Sequence, residues 1–377
     1  MPETLERPSR KSTFTQSKYR TLAKQLRQQI ERGTLKPGDR LPSFVELRAR
    51  HGATPTTANQ VYGLLEQEGL IQRQQGRGTF VAERKRTLTG NIGFVGGVFL
   101  HPQRSPFKMY LMKGVQLATE AARQHLLYLG TDHSLNVSAF SKVDGVLICN
   151  IEDPRPVLQN LPAGLPHVAL LNINEGVTSV VADDHGGSKM AVKHLASSGH
   201  RRIACLMEKM PSLPRRRFAG YSDGLLEAGI EANPAWARLT QKVAMGENRE
   251  PYLEWGRREM RLWLDEGFGK LNCTAIFVQN EMAAIGVMQI LQQEGWKVPE
   301  DISVMGFDGT ELCDYAMPRL TAMESPLEQI GAKAVEILNR QIAGETPEIQ
   351  TITLPVRLRH GGSTAANVRN RAREQVE

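Results

Sequence analysis

Apolar residues at Tyr19, Leu22, Ala23, Leu26 and Ile30 fall at i, i+3, i+4, i+7 and i+11. That spacing predicts an amphipathic helix ending near Gly33. The loop LKPGDRLPS follows, dense in turn residues. Ser43, with Glu46 three residues on, predicts a capping box and a short second helix that stops near Gly52. Thr54 suits an N-cap and Pro55 the first position of a third helix. Val61, Leu64 and Leu65 supply its buried stripe, and Gly69 suits the left-handed residue past its end. The run LIQRQQGRGTFVA then predicts a hairpin of two short strands around a glycine-rich turn. A tight helix-turn-helix followed by a hairpin is the order of a winged helix.

Beyond residue 90 the pattern changes. Strand-like runs appear as NIGFVGGVF, HLLYLGTD, VDGVLICN, HVALLNI, RIACLME, TAIFVQN and ISVMGFDG. Amphipathic stretches at 186–199, 216–229, 253–267 and 281–295 lie between most of them. This alternation predicts parallel sheets covered by helices. The segment is long for one sheet, so two α/β lobes with a ligand cleft at the strand ends are expected. Only 11 residues (132–142) separate the second and third runs, short for a full crossover helix, so the first lobe is expected to be trimmed there.

Charge sharpens the division. The net charge is +7, from 47 Lys+Arg and 40 Asp+Glu. Residues 1–90 carry 17 basic and 8 acidic residues, +9, and the remainder 30 and 32, −2. An anionic partner for the first quarter, nucleic acid above all, follows from that asymmetry. Arg77 stands between Gly76 and Gly78 at the hairpin tip, where it could enter a narrow, strongly negative minor groove. Thr54, Thr56, Thr57, Asn59 and Gln60 line the start of the third helix with hydroxyls and amides fit for phosphates and base edges. Arg40, Ser43 and Gly78 complete the expected DNA-facing set.

The strand-like runs of the larger segment end in polar residues: Asn150, Asn172, Asn280-Glu281 and Asp308. Together they suit a pocket for a small polyhydroxylated ligand, although a helix cap would explain any one of them. Cys149, Cys205, Cys273 and Cys313 are scattered, with no zinc-ligand spacing, so reduced thiols, no metal and a cytoplasmic location are expected. No 18-residue apolar run and no apolar signal core is present, so no membrane association is expected. GxxxxGK[ST], GxGxxG opening a helix, HExxH and GxSxG are all missing, so neither an enzyme nor a cofactor is expected. His194 and His200 read as helix-terminal cations.

Two resemblances follow. The stretch LKPGDRLPS…EL…HGATPTTANQVYGLLEQEGLIQRQQGRGTFV resembles the GntR-type winged-helix DNA-binding domain over 14–82. Val45, Pro55 and Asn59 stand where that family usually has arginines that touch DNA, which implies a different operator read more through Asn59, Gln60 and Arg77, with asparagine favouring adenine. The blocks SVVADDHGGSKMAVKHLASSGHRRIACL, RRRFAGYSDGLLEAGI, TAIFVQNEMAAIGVMQILQQEGWKVPEDISVMGFDG and PRLTAMESPLEQIGAKAVEIL resemble the effector domain of LacI/GalR-type repressors. The resemblance implies a two-lobed, periplasmic-binding-protein-like fold. It also implies effector contacts at Arg217, Asn280, Glu281 and Asp308, with Asn150 and Asn172 facing the ligand and Phe107 as a wall. Glu281 replaces the usual aspartate and is expected to reshape the pocket.

The combined expectation is an α/β chain with an N-terminal winged helix-turn-helix and a two-lobed domain with parallel sheets, as in arabinose-repressor-type chimeras. It comprises a disordered lead (1–13), a reader (14–82), a linker (83–90), an effector and dimerisation domain (91–364) and a polar tail (365–377). The expected function is a homodimeric repressor of a double-stranded DNA operator, controlled by a small effector, a monosaccharide first. A purine corepressor, or a winged helix fused to an enzyme, are the alternatives.

Overall fold

The computed structural model describes residues 10–31, 33–82, 88–96, 107–130, 137–149, 154–209, 213–241, 244–245, 248–345 and 348–367. The chain forms two compact units, one of 1–91, 133–144 and 155–165, the other of 92–132, 145–154 and 166–377.

In the first unit α1 (Arg10–Glu31), α2 (Phe44–His51) and α3 (Pro55–Gln67) precede a hairpin of β1 (Ile71–Gln74) and β2 (Gly78–Val81). Leu22, Ala23, Leu26, Leu47, Val61, Leu65, Ile71 and Val81 close its core. Both predicted caps form: Ser43 Oγ accepts from Glu46 N at 3.3 Å while Glu46 accepts from Ser43 N at 2.6 Å, and Thr54 accepts from Thr57 N at 3.2 Å. Gly52 and Gly69 take the left-handed conformation, with φ of 60° and 65°. Arg27 clamps Glu68 through two bonds, tying α1 to the end of α3. The helix α1 starts at Arg10, inside the stretch expected to be disordered, because its polar first turns leave no apolar periodicity to read. Also in this unit are α5 (Arg155–Asn160) and a clasp around Asp144, which accepts from Thr89 N at 2.8 Å, Thr89 Oγ1 at 3.0 Å and Gly90 N at 2.7 Å.

The second unit holds two six-stranded sheets. The first contains β3 (Asn91–Val95), β4 (His125–Gly130), β5 (Gly145–Cys149), β6 (His167–Leu170), β7 (Ser179–Ala182) and β15 (Thr351–Leu354), in the order β15-β7-β6-β5-β3-β4. The other contains β8 (Ile203–Glu208), β9 (Ala237–Thr240), β12 (Ala275–Val278), β13 (Ser303–Asp308), β14 (Thr321–Glu324) and β16 (Arg357–Arg359), in the order β16-β14-β13-β12-β8-β9. Neighbours from β9 to β14 are parallel, and β16 runs antiparallel to β14. The two short strands β10 (Ala244–Met245) and β11 (Asn248–Arg249) pair antiparallel.

Helix α4 (Phe107–Ala121) packs on α11 (Leu327–Ile342), α6 (Asp184–Ser197) on α7 (Leu213–Glu227), and α8 (Tyr252–Asp265) on α9 (Glu281–Gln293), while α10 (Leu312–Tyr315) is a single turn. Between β4 and β5 the described chain has only the 3-10 turn Val137–Lys142, as the short spacing predicts.

The described start of the expected polar tail, residues 365–367, is docked: Ala365 N bonds Ser303 Oγ at 3.1 Å and Asn367 N bonds Ser198 O at 2.8 Å. The expectation for His194 and His200 is corrected. His200 is part of that dock, lying between Thr274 Oγ1 at 2.8 Å and the Ala365 carbonyl at 3.0 Å. Burial lowers the pKa of His194 and His200 below the ordinary histidine value, so they serve as neutral hydrogen-bonding rings and not as cations.

Candidate nucleic-acid interface and ligand cleft

On α3 the buried face is Thr57, Ala58, Val61, Tyr62 and Leu65. The opposite face presents Thr56, Asn59 and Gln60, all exposed. Thr57 therefore leaves the expected DNA-facing set: it is buried, and its hydroxyl pairs with Thr54 Oγ1 at 2.8 Å. Thr54 and Ser43 remain at the surface but are engaged as caps. Arg77 is exposed at the hairpin tip, between Gly76 at φ 74° and Gly78 at φ 122°. A Cβ on Gly78 would meet Arg40 Nε at 3.0 Å, so this glycine lets Arg40 lie against the wing. Arg73, absent from the expected set, reaches from β1 onto the outward side of α3. Its signal is its place in the pleat: two residues before the turn, opposite Thr79.

Buried charge in the larger unit converges on Arg217 of α7. Its Nε donates to Asp184 Oδ1 at 2.9 Å, its Nη2 to Asp308 Oδ1 at 2.8 Å, and its Nη1 to the Gln279 carbonyl. The guanidinium carbon lies 3.7 Å above the centre of the Phe307 ring. Burial works against this charge, but Asp308 and Asp184 outweigh it and hold the guanidinium above its ordinary pKa. Two buried carboxylates share one buried cation, so burial leaves Asp308 above the usual carboxylate range even beside Arg217. Asp308 itself adopts φ 81°, an uncommon conformation for a non-glycine residue, at the carboxyl end of β13. Asp184 was missed because it adjoins Asp183, which looks the same in sequence. Asp183 caps α6, bonding Gly186 N at 2.8 Å, and Asp184 turns inward to Arg217 and to Arg216 at 2.6 Å.

Other expected contacts are accounted for differently. Asn280 is the N-cap of α9, its Oδ1 accepting from Ala283 N at 2.8 Å, so the cap reading holds at this strand end. Glu281 turns both oxygens to Thr310, at 2.6 Å to its N and 2.6 Å to its Oγ1, so it braces the loop after β13 instead of offering a free acceptor. Burial, then the charge of Asp308, raises its pKa to about 7. Asn172 is buried just past β6, and Phe107 opens α4 half-buried against the core. Asn150 lies outside the described residues.

A cleft of about 360 Å³ opens beside this cluster. Asp308, Gly309 and Thr310 line it from the end of β13, Tyr110 from α4, Glu324 from the end of β14, Glu328 from the start of α11, and Glu311 and Ser325 from the turns beside them. Four carboxylates thus face one lining cation, Arg359, which is held by Asp314 at 2.5 Å.

The comparisons fit this division of labour. The family model described as bacterial regulatory proteins of the gntR family matches residues 18–81, and the periplasmic binding protein-like domain matches 192–364. The HTH-type transcriptional regulator CelR of Thermobifida fusca is 31% identical over 317 residues, covering 81% of this chain and 87% of that protein. The chain belongs to the HTH-type transcriptional regulators of the LacI family. The ribose operon repressor of Escherichia coli K12 is 27% identical over 291 residues, 74% of this chain and 84% of that protein. Among solved structures, a CelR–cellobiose complex matches with a TM-score of 0.65 at 23% identity, over 84% of this regulator and 93% of that chain, a likeness of fold. A LacI-family regulator from Enterococcus faecium with bound ribose matches with a TM-score of 0.62 at 25% identity, over 73% of this regulator and 99% of that chain. The relatives are transcriptional regulators, not enzymes, and DNA and a small effector are the ligands of the family. No helix among the described residues is long and apolar enough to cross a membrane.

Proposed function

We propose that this regulator is a homodimeric repressor whose effector is an uncharged monosaccharide, and that sugar binding releases the operator. The division into a reader (14–82), a linker (83–90) and an effector and dimerisation domain (91–364) belongs to the same reading. The observation that carries it is the carboxylate-lined cleft at the end of β13, beside the Arg217–Asp308–Asp184 cluster. Its volume of about 360 Å³ is near the lower end for small-molecule sites, which suits one sugar ring better than two. Asp308, Glu324 and Glu328 are each paired with a cation, Arg217, Arg357 and Lys113, and with Glu311 their remaining oxygens are hydrogen-bond acceptors matched to hydroxyl donors. Closure around the sugar acts on DNA only through a difference in sugar affinity between the DNA-competent and DNA-incompetent states.

The reader contacts are the second half of the proposal. Thr56, Asn59 and Gln60 face a groove from α3, Arg77 enters from the wing, and Arg40 neutralises backbone phosphate. The test is a panel of uncharged sugars, sugar phosphates and purines, scored for melting temperature and for affinity to selected duplex DNA. An uncharged monosaccharide should raise the melting temperature and weaken duplex binding. Stabilisation only by sugar phosphates or purines, or tighter duplex binding with the ligand, would refute the reading.

A further inference from the structure

The outward side of α3 carries Asn59, Gly63 and Glu66, spaced i, i+4 and i+7 and so aligned on one stripe. Arg73 of β1 lies along that stripe. Its Nη1 donates to Asn59 Oδ1 at 3.4 Å, its Nη2 to the Asn59 carbonyl at 3.3 Å, and its Nε pairs with Glu66 at 3.1 Å. Gly63 leaves the room: a Cβ there would stand 3.8 Å from Arg73 Nη2, and any longer side chain would push the guanidinium away.

Three features of this contact bear on how the regulator reads DNA. A guanidinium has donors and no acceptor, so the amide atom that faces it is the oxygen. The Asn59 NH2 group is thereby turned away from Arg73, and Asn59 is exposed. The adenine contact of an asparagine needs both amide atoms at once, the oxygen to N6–H and the NH2 to N7. With one lone pair of its oxygen taken and a guanidinium beside it, Asn59 presents chiefly its NH2 donors, and in the major groove guanine presents two acceptors, O6 and N7, side by side.

We infer that Arg73 sets the base preference of the reader: by holding the oxygen of Asn59 it makes Asn59 a donor to a guanine edge instead of a reader of adenine. This rests on the proposed placing of α3 in a DNA groove. Arg73 acts through Asn59 and is a positioning residue. Its guanidinium spans Asn59 and Glu66 together, which a lysine ammonium, a point donor, cannot do.

The experiment selects bound sequences from a pool of duplexes with a randomised core, using the full-length chain and its Asn59→Ala, Arg73→Ala and Arg73→Lys variants. All four should melt at closely similar temperatures, because both side chains are exposed. The wild type should prefer guanine by about tenfold at one position of each half-site, and Asn59→Ala should erase the preference there alone. Arg73→Lys keeps the charge, so the slope of affinity against salt should be unchanged while the preference moves from guanine to adenine. Arg73→Ala should show the same move with weaker binding overall. If Arg73→Lys keeps the wild-type preference, Arg73 is a counter-charge to phosphate and the inference fails. An Asn59-dependent position that selects adenine in the wild type also overturns it, yet leaves α3 as the reading helix. No change at any position with Asn59→Ala would remove the reading-helix placement itself.

Discussion

Arg217 gathers two carboxylates and a backbone carbonyl around one buried guanidinium, and their charges need one another. Removing one partner of a buried pair leaves the other uncompensated, at about 3–5 kcal/mol. Arg217→Met should therefore lower stability by about that amount in urea unfolding, since Asp308 would lose its cation and Asp184 would keep only Arg216; a loss below about 1 kcal/mol would show the cluster to be loosely coupled. Glu281 gives a pH dependence of definite sign. Its pKa is about 7 in the folded chain against 4.5 for the free group, so the folded state binds its proton more tightly. That contribution is complete below pH 4.5 and is lost as pH rises through 7, a total of about 3 kcal/mol. Glu281→Gln should flatten this part of the stability profile between pH 5 and 7.5, and an unchanged slope would assign it to another group. At this scale the sequence showed which residue types end the strands but not what each one does. Asn280 caps a helix, Glu281 braces Thr310, and Asp184 is separated from Asp183 only by the direction each takes at the start of α6.

Helix pairs in the larger unit touch backbone to backbone at glycines. A Cβ on Gly114 of α4 would stand 2.0 Å from the Glu328 carbonyl, one on Gly220 of α7 2.2 Å from that of His185, and one on Gly256 of α8 2.3 Å from that of Ala283. Each obstacle is main chain, which cannot turn aside as a side chain can. Gly114→Ala should push α4 off α11 and cost about 1–3 kcal/mol, read as a fall in melting temperature, whereas the same change at Gly269 meets only the Trp296 ring at 3.7 Å, an ordinary contact. A neutral Gly114→Ala would mean that the two helices have freedom to separate. The seven strand-like runs became β3, β4, β5, β6, β8, β12 and β13; for all but the partly exposed β4, buried parallel strands read as continuous apolar runs. The strands that went unread, β7, β9, β10, β11, β14, β15 and β16, are two to four residues long and include the edge strands β9, β15 and β16 of the large sheets. So short a segment carries too few alternations to stand out from a loop, and its pairing is decided by neighbours far along the chain.

At the scale of the whole molecule, the proposed homodimer would bring two readers to two half-sites, and an exposed apolar groove of the larger unit is where its pairing can be tested. Along α4 and β4 a groove of about 740 Å³ is lined by Met109, Met112, Leu117 and Leu126, with Lys113 and Glu120 among them. Met109 is 52% and Leu117 54% exposed, although each belongs to a helix whose other face is core. Large apolar side chains grouped in an exposed groove mark an interaction surface. In the proposed homodimer, two-fold pairing would set this patch against the same patch of a second copy. Leu117→Glu adds a charge to the apolar part of that surface and should yield monomers in sedimentation at micromolar concentration. The folded unit is untouched, so the variant should still bind the sugar that stabilises the wild type, with an unchanged melting shift. Its affinity for a two-half-site duplex should fall toward that for a single half-site, because the second reader no longer arrives with the first. A Leu117→Glu dimer would move the interface off α4. A monomer that kept full affinity for the double site would break the link between pairing and operator recognition, and would require each reader to act alone.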